Sequence, residues 1–192
     1  MRTMRVIPMI LLLVAGSVGL ASAQGPGSTY SHSLAPYVPS PEPIVDRMLE
    51  IANLKPGEVL YDLGCGDGRV LIAAVQKYHA KAVGVELNPK IYKRAQDRIN
   101  LLGLQNHIQL IHGDLLDVDL SDADVVTLYL MRSSNEGLRP RLEKFLRPGA
   151  RVVAHDYPVP GWKPNRVEEA ETDSHVHTVY LYVMPPVKMQ AR

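Results

Sequence analysis

Three carboxylates stand at the ends of three short apolar runs, and together they can hold a cationic ligand that carries a sugar. Asp62 closes Val59-Leu60-Tyr61-Asp62-Leu63, which runs straight into Gly64-Cys65-Gly66-Asp67-Gly68. Glu86 closes Lys81–Val85, roughly twenty residues beyond the loop, where a ribose diol lies in nucleotide-type sites. Asp114 follows Ile108–Ile111 within His112-Gly113-Asp114-Leu115. Each carboxylate has a distinct task. Asp62 suits a positive group. Glu86 accepts both ribose hydroxyls, through charge-assisted bonds of about 1.5–3 kcal/mol each. Asp114 accepts from an adenine amino group, with Leu115 against the ring. The glycines let the backbone turn tightly and come close to a ligand.

The loop also says which ligand to exclude. A dinucleotide fingerprint G-x-G-x-x-G needs its third glycine at position 69, and Arg69 stands there. A strand-end carboxylate suits a cation better than a pyrophosphate. The loop therefore favours a cofactor with an ammonium and no phosphate, which describes S-adenosylmethionine. Alone it fits a generic nucleotide fold or a tight turn equally well; the three carboxylates after three successive strands decide the matter. The expected cofactor contacts are Asp62, Gly64, Cys65, Gly66, Glu86, Leu87, Gly113, Asp114, Leu115 and Tyr129. Cys65, the single cysteine, has no partner for an internal disulfide and reads as a small buried filler.

Alternating elements must carry these residues. Val59–Leu63, Lys81–Val85, Ile108–Ile111, Ala123–Leu130 and Arg151–Ala154 read as strands, and Arg69–Lys77 as an apolar-faced helix between the first two. Ser40 is placed to cap a helix with Pro41 at its first position. Ile44, Val45, Met48, Leu49 and Ala52 follow helical spacing, so that helix should lie across the sheet edge. Asn88 and Pro89 begin a helix that ends near Gly103, and Glu136–Leu146 gives another, stopped by Pro148-Gly149. Val176–Met184 is a final strand, antiparallel to the one before it. The alternation specifies an α/β fold.

DLGCGDGR, VGVELNP and HGDL resemble the consecutive cofactor motifs of class I S-adenosylmethionine-dependent methyltransferases, over Ser40 to Pro185. Pro36-Tyr37-Val38-Pro39-Ser40-Pro41, VELNP and RPGARVVAHDYPVPGW resemble the small protein-lysine methyltransferases related to the ATP-synthase c-subunit lysine methyltransferase. The resemblance implies a Rossmann-like, mostly parallel seven-stranded sheet with helices on both faces and an antiparallel final strand. It implies S-adenosylmethionine as cofactor and a protein lysine amine as acceptor. The alternatives are a small-molecule O- or N-methyltransferase, or a non-catalytic cofactor-binding module. The Asn/Asp-Pro-Pro-Tyr motif of enzymes that methylate adenine or glutamine amides is missing after the fourth strand, where Leu128-Tyr129-Leu130-Met131 stands.

A lysine acceptor must lose its proton, at a cost of about 4–5 kcal/mol at pH 7. Candidates to assist are His155 and Asp156, directly after the fifth strand, with Tyr157 beside them, and Tyr37 from the N-terminal segment. Trp162 reads as a lid or core anchor. His175 and His177 share a strand face and invite a metal reading, but no third ligand has suitable spacing, so no metal is expected.

Charge and compartment complete the expectation. Twenty-one Lys and Arg against 20 Asp and Glu give a net charge of +1, without a basic run to meet a phosphate backbone, so nucleic acid is not the expected partner. Residues 1–23 read as a signal peptide: Arg2 and Arg5, an apolar run from Val6 to Leu20, and Ala21-Ser22-Ala23 as cleavage site. Residues 24–39 form a linker and N-terminal segment, 40–185 the catalytic domain and 186–192 a tail. The mature chain is expected as an exported monomer with no membrane span, acting on a protein substrate that is small or membrane-associated. It is cytoplasmic if the leader is not used.

Overall fold

Val125-Val126-Thr127-Leu128 has no polar face, and all four residues are buried. Such a strand needs cover on both sides, which a parallel sheet flanked by helices provides. The computed structural model describes residues 37–172 and 175–189, and within them it has this architecture. The expected leader and most of the expected linker fall outside the described residues.

The main sheet contains β1 (Val59–Leu63), β2 (Lys81–Glu86), β3 (Ile108–His112), β4 (Val125–Leu128), β5 (Arg151–His155), β7 (Arg166–Glu171) and β8 (Val176–Val183) in the order β3-β2-β1-β4-β5-β8-β7. The first five pair in parallel, and β8 is antiparallel to both β5 and β7. β6 (Trp162–Lys163) pairs with β9 (Val187–Lys188) in a separate ribbon, so part of the expected tail carries a short strand. From β1 the chain first builds outward to β2 and β3, then returns to add β4 and β5 on the other side. The order reverses between β1 and β4, and ligands of open α/β sheets bind in the crevice at such a point.

Side chains alternate between two cores. Leu60, Val125, Val153 and Val179 pack with α1 (Glu42–Ile51), α2 (Arg69–Tyr78) and Ile99 of α3 (Pro89–Leu101). Leu63, Val126, Val152 and Tyr182 pack with Leu138 and Leu142 of α4 (Arg132–Phe145) on the other face. Helices thus cover both faces. Trp162 belongs to this second core, edge-on to Tyr182 at 5.4 Å, with its indole N–H donating to Glu143 at 2.7 Å.

Four local expectations change. Pro41, not Ser40, occupies the N-cap of α1, without a side-chain cap bond, because the Ser40 hydroxyl is engaged by His155. α1 packs on α2, β5 and β8 rather than over an edge strand. α4 begins at Arg132, four residues before Glu136, with Ser134 and Asn135 buried in its first turn. β4 is confined to Val125–Leu128, shorter than the apolar run.

Candidate functional site

The register of the central strands builds the site. Asp62 pairs with Gly84 on one side and Thr127 on the other, one residue before β1 ends. Its Oδ1 accepts from the Thr127 hydroxyl at 2.7 Å. Burial pushes the Asp62 carboxyl up to about 7; the Thr127 bond opposes this, while the carboxylates of Glu86 and Asp67 add to it. Its environment thus lacks a compensating positive charge, which a cationic ligand would supply.

The glycine loop is then folded onto β2. Gly64 and Cys65 N–H both donate to the Val85 carbonyl, at 2.9 and 3.0 Å. Glu86 Oε2 accepts from Gly66 N–H at 3.1 Å and Oε1 from Asn88 N–H at 2.8 Å, so this carboxylate is aligned by backbone on two sides. Asp114 Oδ1 accepts from Leu116 N–H at 2.8 Å, and Gly113 N–H donates to the Glu86 carbonyl at 3.1 Å. Asn88 caps α3, accepting from Lys90 N–H at 2.9 Å.

Asp62, Glu86, Asn88 and Asp114 border one cleft that opens to solvent. All ten expected cofactor contacts line it, as does Tyr37. The Tyr37 ring lies over the loop: a Cβ at Gly66, where φ is +55°, would come within 2.8 Å of Tyr37 Cε2. Only glycine meets both demands there without displacement.

His155 and Asp156 do not border that cleft directly. His155 is fully buried at the end of β5, its ring stacked 3.9 Å from that of Tyr129. Burial lowers its pKa to about 4; Asp156 opposes the shift and His177 adds to it. Asp156 has φ +58°, and its Oδ1 accepts from Thr178 N–H at 3.0 Å. Burial would raise its carboxyl, but the Thr178 bond and the two histidines hold it below the usual range. The Tyr129 hydroxyl donates to Asp156 Oδ2 at 3.4 Å, and burial followed by that carboxylate pushes the phenol up to about 12. Tyr129 is therefore the link between the cleft and the histidines behind it.

The roles of five residues escape sequence reasoning. Ser40 hydroxyl lies 2.9 Å from His155 Nδ1. Thr127, a lone polar residue in an apolar run, was the one local signal. Arg69 grips Asp67 with two bonds, at 2.9 and 2.8 Å, and donates to the Ser40 carbonyl at 2.7 Å, tying the N-terminal segment to the loop. Arg98 reaches the same Asp67 at 3.0 Å, and these guanidiniums overcome the effect of burial to hold its carboxyl low. His177, expected beside His175, instead meets His155 and Asp156, at 3.0 Å from each. The pair expected from the sequence, His175 with His177, is thus not the one the structure brings together with a third group: antiparallel β8 returns beside β5 and brings His177 to His155 and Asp156 at the end of it.

The model of the ANTKMT methyltransferase domain family matches residues 62–166. A protein-lysine N-methyltransferase of Saccharolobus islandicus is 46% identical over 150 residues, which cover 78% of this chain and 93% of that protein. The ATP-synthase c-subunit lysine N-methyltransferase of Homo sapiens is 31% identical over 147 residues, covering 77% of this chain and 60% of the human protein. Among solved structures, an RNA methyltransferase from Salinibacter ruber in complex with S-adenosyl-L-homocysteine superimposes with a TM-score of 0.72 at 42% identity, covering 77% of this chain and 94% of that one. The sheet and its helices are those of the class I methyltransferases.

Proposed function

The chain belongs to the ANTKMT methyltransferase family, and from that membership we propose that it is an S-adenosylmethionine-dependent protein-lysine N-methyltransferase. One observation carries the proposal: the strand-end carboxylates of Asp62, Glu86 and Asp114 line a single cleft at the sheet's point of reversal, in a chain 46% identical to a protein-lysine methyltransferase.

S-adenosylmethionine supplies an electrophilic methyl group on a sulfonium sulfur. The protein's part is to position and to desolvate. Glu86 is assigned to the ribose hydroxyls, Asp114 and Leu115 to the adenine, and the glycine loop with Asp62 to the charged amino-acid end. Tyr37 and Tyr129, which border the same cleft, form the wall met by the acceptor amine. Tyr129 is held from behind by Asp156 and the His155 ring. His155, fully buried, acts through these neighbours as a positioning residue rather than by touching substrate.

The name of the Salinibacter ruber relative favours a second reading, with RNA as acceptor. The lysine-methyltransferase family model and relatives speak against it. So does the overall charge: 21 Lys and Arg against 20 Asp and Glu leave no surplus of cations of the kind a phosphate backbone selects. We further propose that the enzyme is exported by its N-terminal leader and acts as a monomer. Among the described residues no helix is long and apolar enough to cross a membrane.

The test follows the methyl group. The purified chain is incubated with methyl-labelled S-adenosylmethionine and, separately, with protein and RNA extracts of its host. Label recovered as methyl-lysine after acid hydrolysis supports the proposal. Label in RNA, in carboxyl esters or in a small metabolite, with lysines unmodified, overturns it.

A further inference from the structure

Behind the wall of the cleft, three side chains with metal-binding atoms converge on one point. His155 Nε2 and His177 Nδ1 are 3.0 Å apart, His177 Nδ1 and Asp156 Oδ2 3.0 Å, and His155 Nε2 and Asp156 Oδ2 3.3 Å. We propose that His155, Asp156 and His177 form a binding site for a divalent transition-metal ion of the zinc type.

Protons fill the triangle in one way: N–H on both His155 Nε2 and His177 Nδ1, each pointing at Asp156 Oδ2, with the two nitrogens then 3.0 Å apart. A single proton on His177 Nδ1 leaves lone pairs of His155 Nε2 and Asp156 Oδ2 facing each other at 3.3 Å. A cation engages all three lone pairs at once. The spacing is close to what it needs: ligands about 2.0–2.1 Å from a tetrahedral zinc lie about 3.3–3.4 Å from one another, so the two 3.0 Å edges need to open by only a few tenths of an ångström. Two imidazoles and one carboxylate are a donor set that zinc and its neighbours in the first transition row accept.

The surroundings have the form of an outer shell. A metal-bound histidine usually uses its second nitrogen for a fixed hydrogen bond, and ligating carboxylates are themselves hydrogen-bonded. His155 Nδ1 meets the Ser40 hydroxyl at 2.9 Å, and the second oxygen of Asp156 takes the Thr178 N–H at 3.0 Å. Asp156 adopts φ +58°, a left-handed conformation that turns its carboxylate back toward β8. Strain of this kind is retained where the surroundings require it. The side chains are poorly exposed, at 0% for His155, 25% for Asp156 and 12% for His177. Tyr129 is a further neighbour, its hydroxyl 3.4 Å from Asp156 Oδ2. An ion here ties the end of β5 to β8, and through Ser40 to the N-terminal segment. It stiffens the wall that Tyr129 presents to the cleft. No step of methyl transfer passes through it, so the inference stands apart from the choice of acceptor.

The experiment uses the full chain, purified without a polyhistidine tag and stripped with a chelator. Zinc chloride is titrated in by calorimetry against a competing chelator. Wild type should take up one zinc per chain, and zinc should raise its melting temperature. Ser40→Ala should weaken binding about tenfold, the cost of losing an outer-shell partner. His177→Gln and Asp156→Asn should weaken it by more than about 100-fold, beyond what an outer-shell loss explains. Asparagine tolerates the left-handed backbone at position 156, which keeps that variant foldable. His175→Gln should bind like wild type. Cobalt in place of zinc should give the visible bands of a four-coordinate nitrogen–oxygen site. A wild type that binds no zinc overturns the proposal whatever the variants do. So does unchanged affinity in His177→Gln, loss in His175→Gln alone, or a sulfur-to-cobalt charge-transfer band that would move the ion to Cys65.

Discussion

At the scale of single residues, the most consequential group is Asp62. Burial and two neighbouring carboxylates raise its pKa to about 7, against the hydrogen bond from Thr127. A cation bound beside it favours the ionised form and lowers that value. The sign follows: below about 7 the free site is largely protonated, so binding expels a proton and affinity rises with pH. Above about 7 the dependence on Asp62 flattens. Calorimetry of S-adenosylmethionine binding near pH 6, about one unit below that value, in buffers of different ionisation enthalpy should reveal proton release. Asp62→Asn should abolish the release. An apparent enthalpy that does not change with buffer would mean that Asp62 does not face the positive end. The carboxylates themselves were legible in the sequence because each one ends an apolar strand. Gly84 was not: a Cβ there would meet Leu71 Cδ1 at 2.3 Å and Cys65 Sγ at 2.9 Å, a demand set by packing across elements rather than by any local turn.

At the scale of elements, the strands of the parallel sheet and most of the helices could be read from periodicity, since strands buried on both faces are near-continuous apolar runs. What could not be read were the contacts made between distant elements. Ser40 has the type and position of a helix cap, and nothing nearby in the chain indicates that its hydroxyl meets His155, 115 residues later. His177 was visible only beside His175, because strand alternation says nothing about which strand β8 lies against. In the sequence Arg69 marks only the place of a missing third glycine; its role lies in contacts made across the fold. It holds residues at the edge of the cleft through the Ser40 carbonyl and is itself held by Asp67. Arg69→Gln should therefore loosen the segment around Tyr37–Ser40, and the amides of Ile44 and Val45, which donate to the Pro41 carbonyl just after it, should exchange faster while amides of β1 and β4 keep their protection. Unchanged exchange at Ile44 and Val45 would show that Arg69 is not the tie.

At the scale of the whole molecule, seven strands, helices on both faces and a reversal of strand order between β1 and β4 converge on one crevice. Family membership says what chemistry this architecture serves, and the leader expected at 1–23 lies outside the described residues. Everything proposed about the acceptor depends on that crevice holding S-adenosylmethionine through its strand-end carboxylates. The most direct test is calorimetric binding of S-adenosylhomocysteine to wild type and to Glu86→Gln. The variant keeps the shape and one acceptor oxygen for the loop but loses the charge assigned to the ribose. Wild type should bind with one site per chain, and the variant at least about tenfold more weakly, a loss of about 1.4 kcal/mol. Equal affinities would remove Glu86 from the ribose site, and a wild type that does not bind would contradict the account at its base.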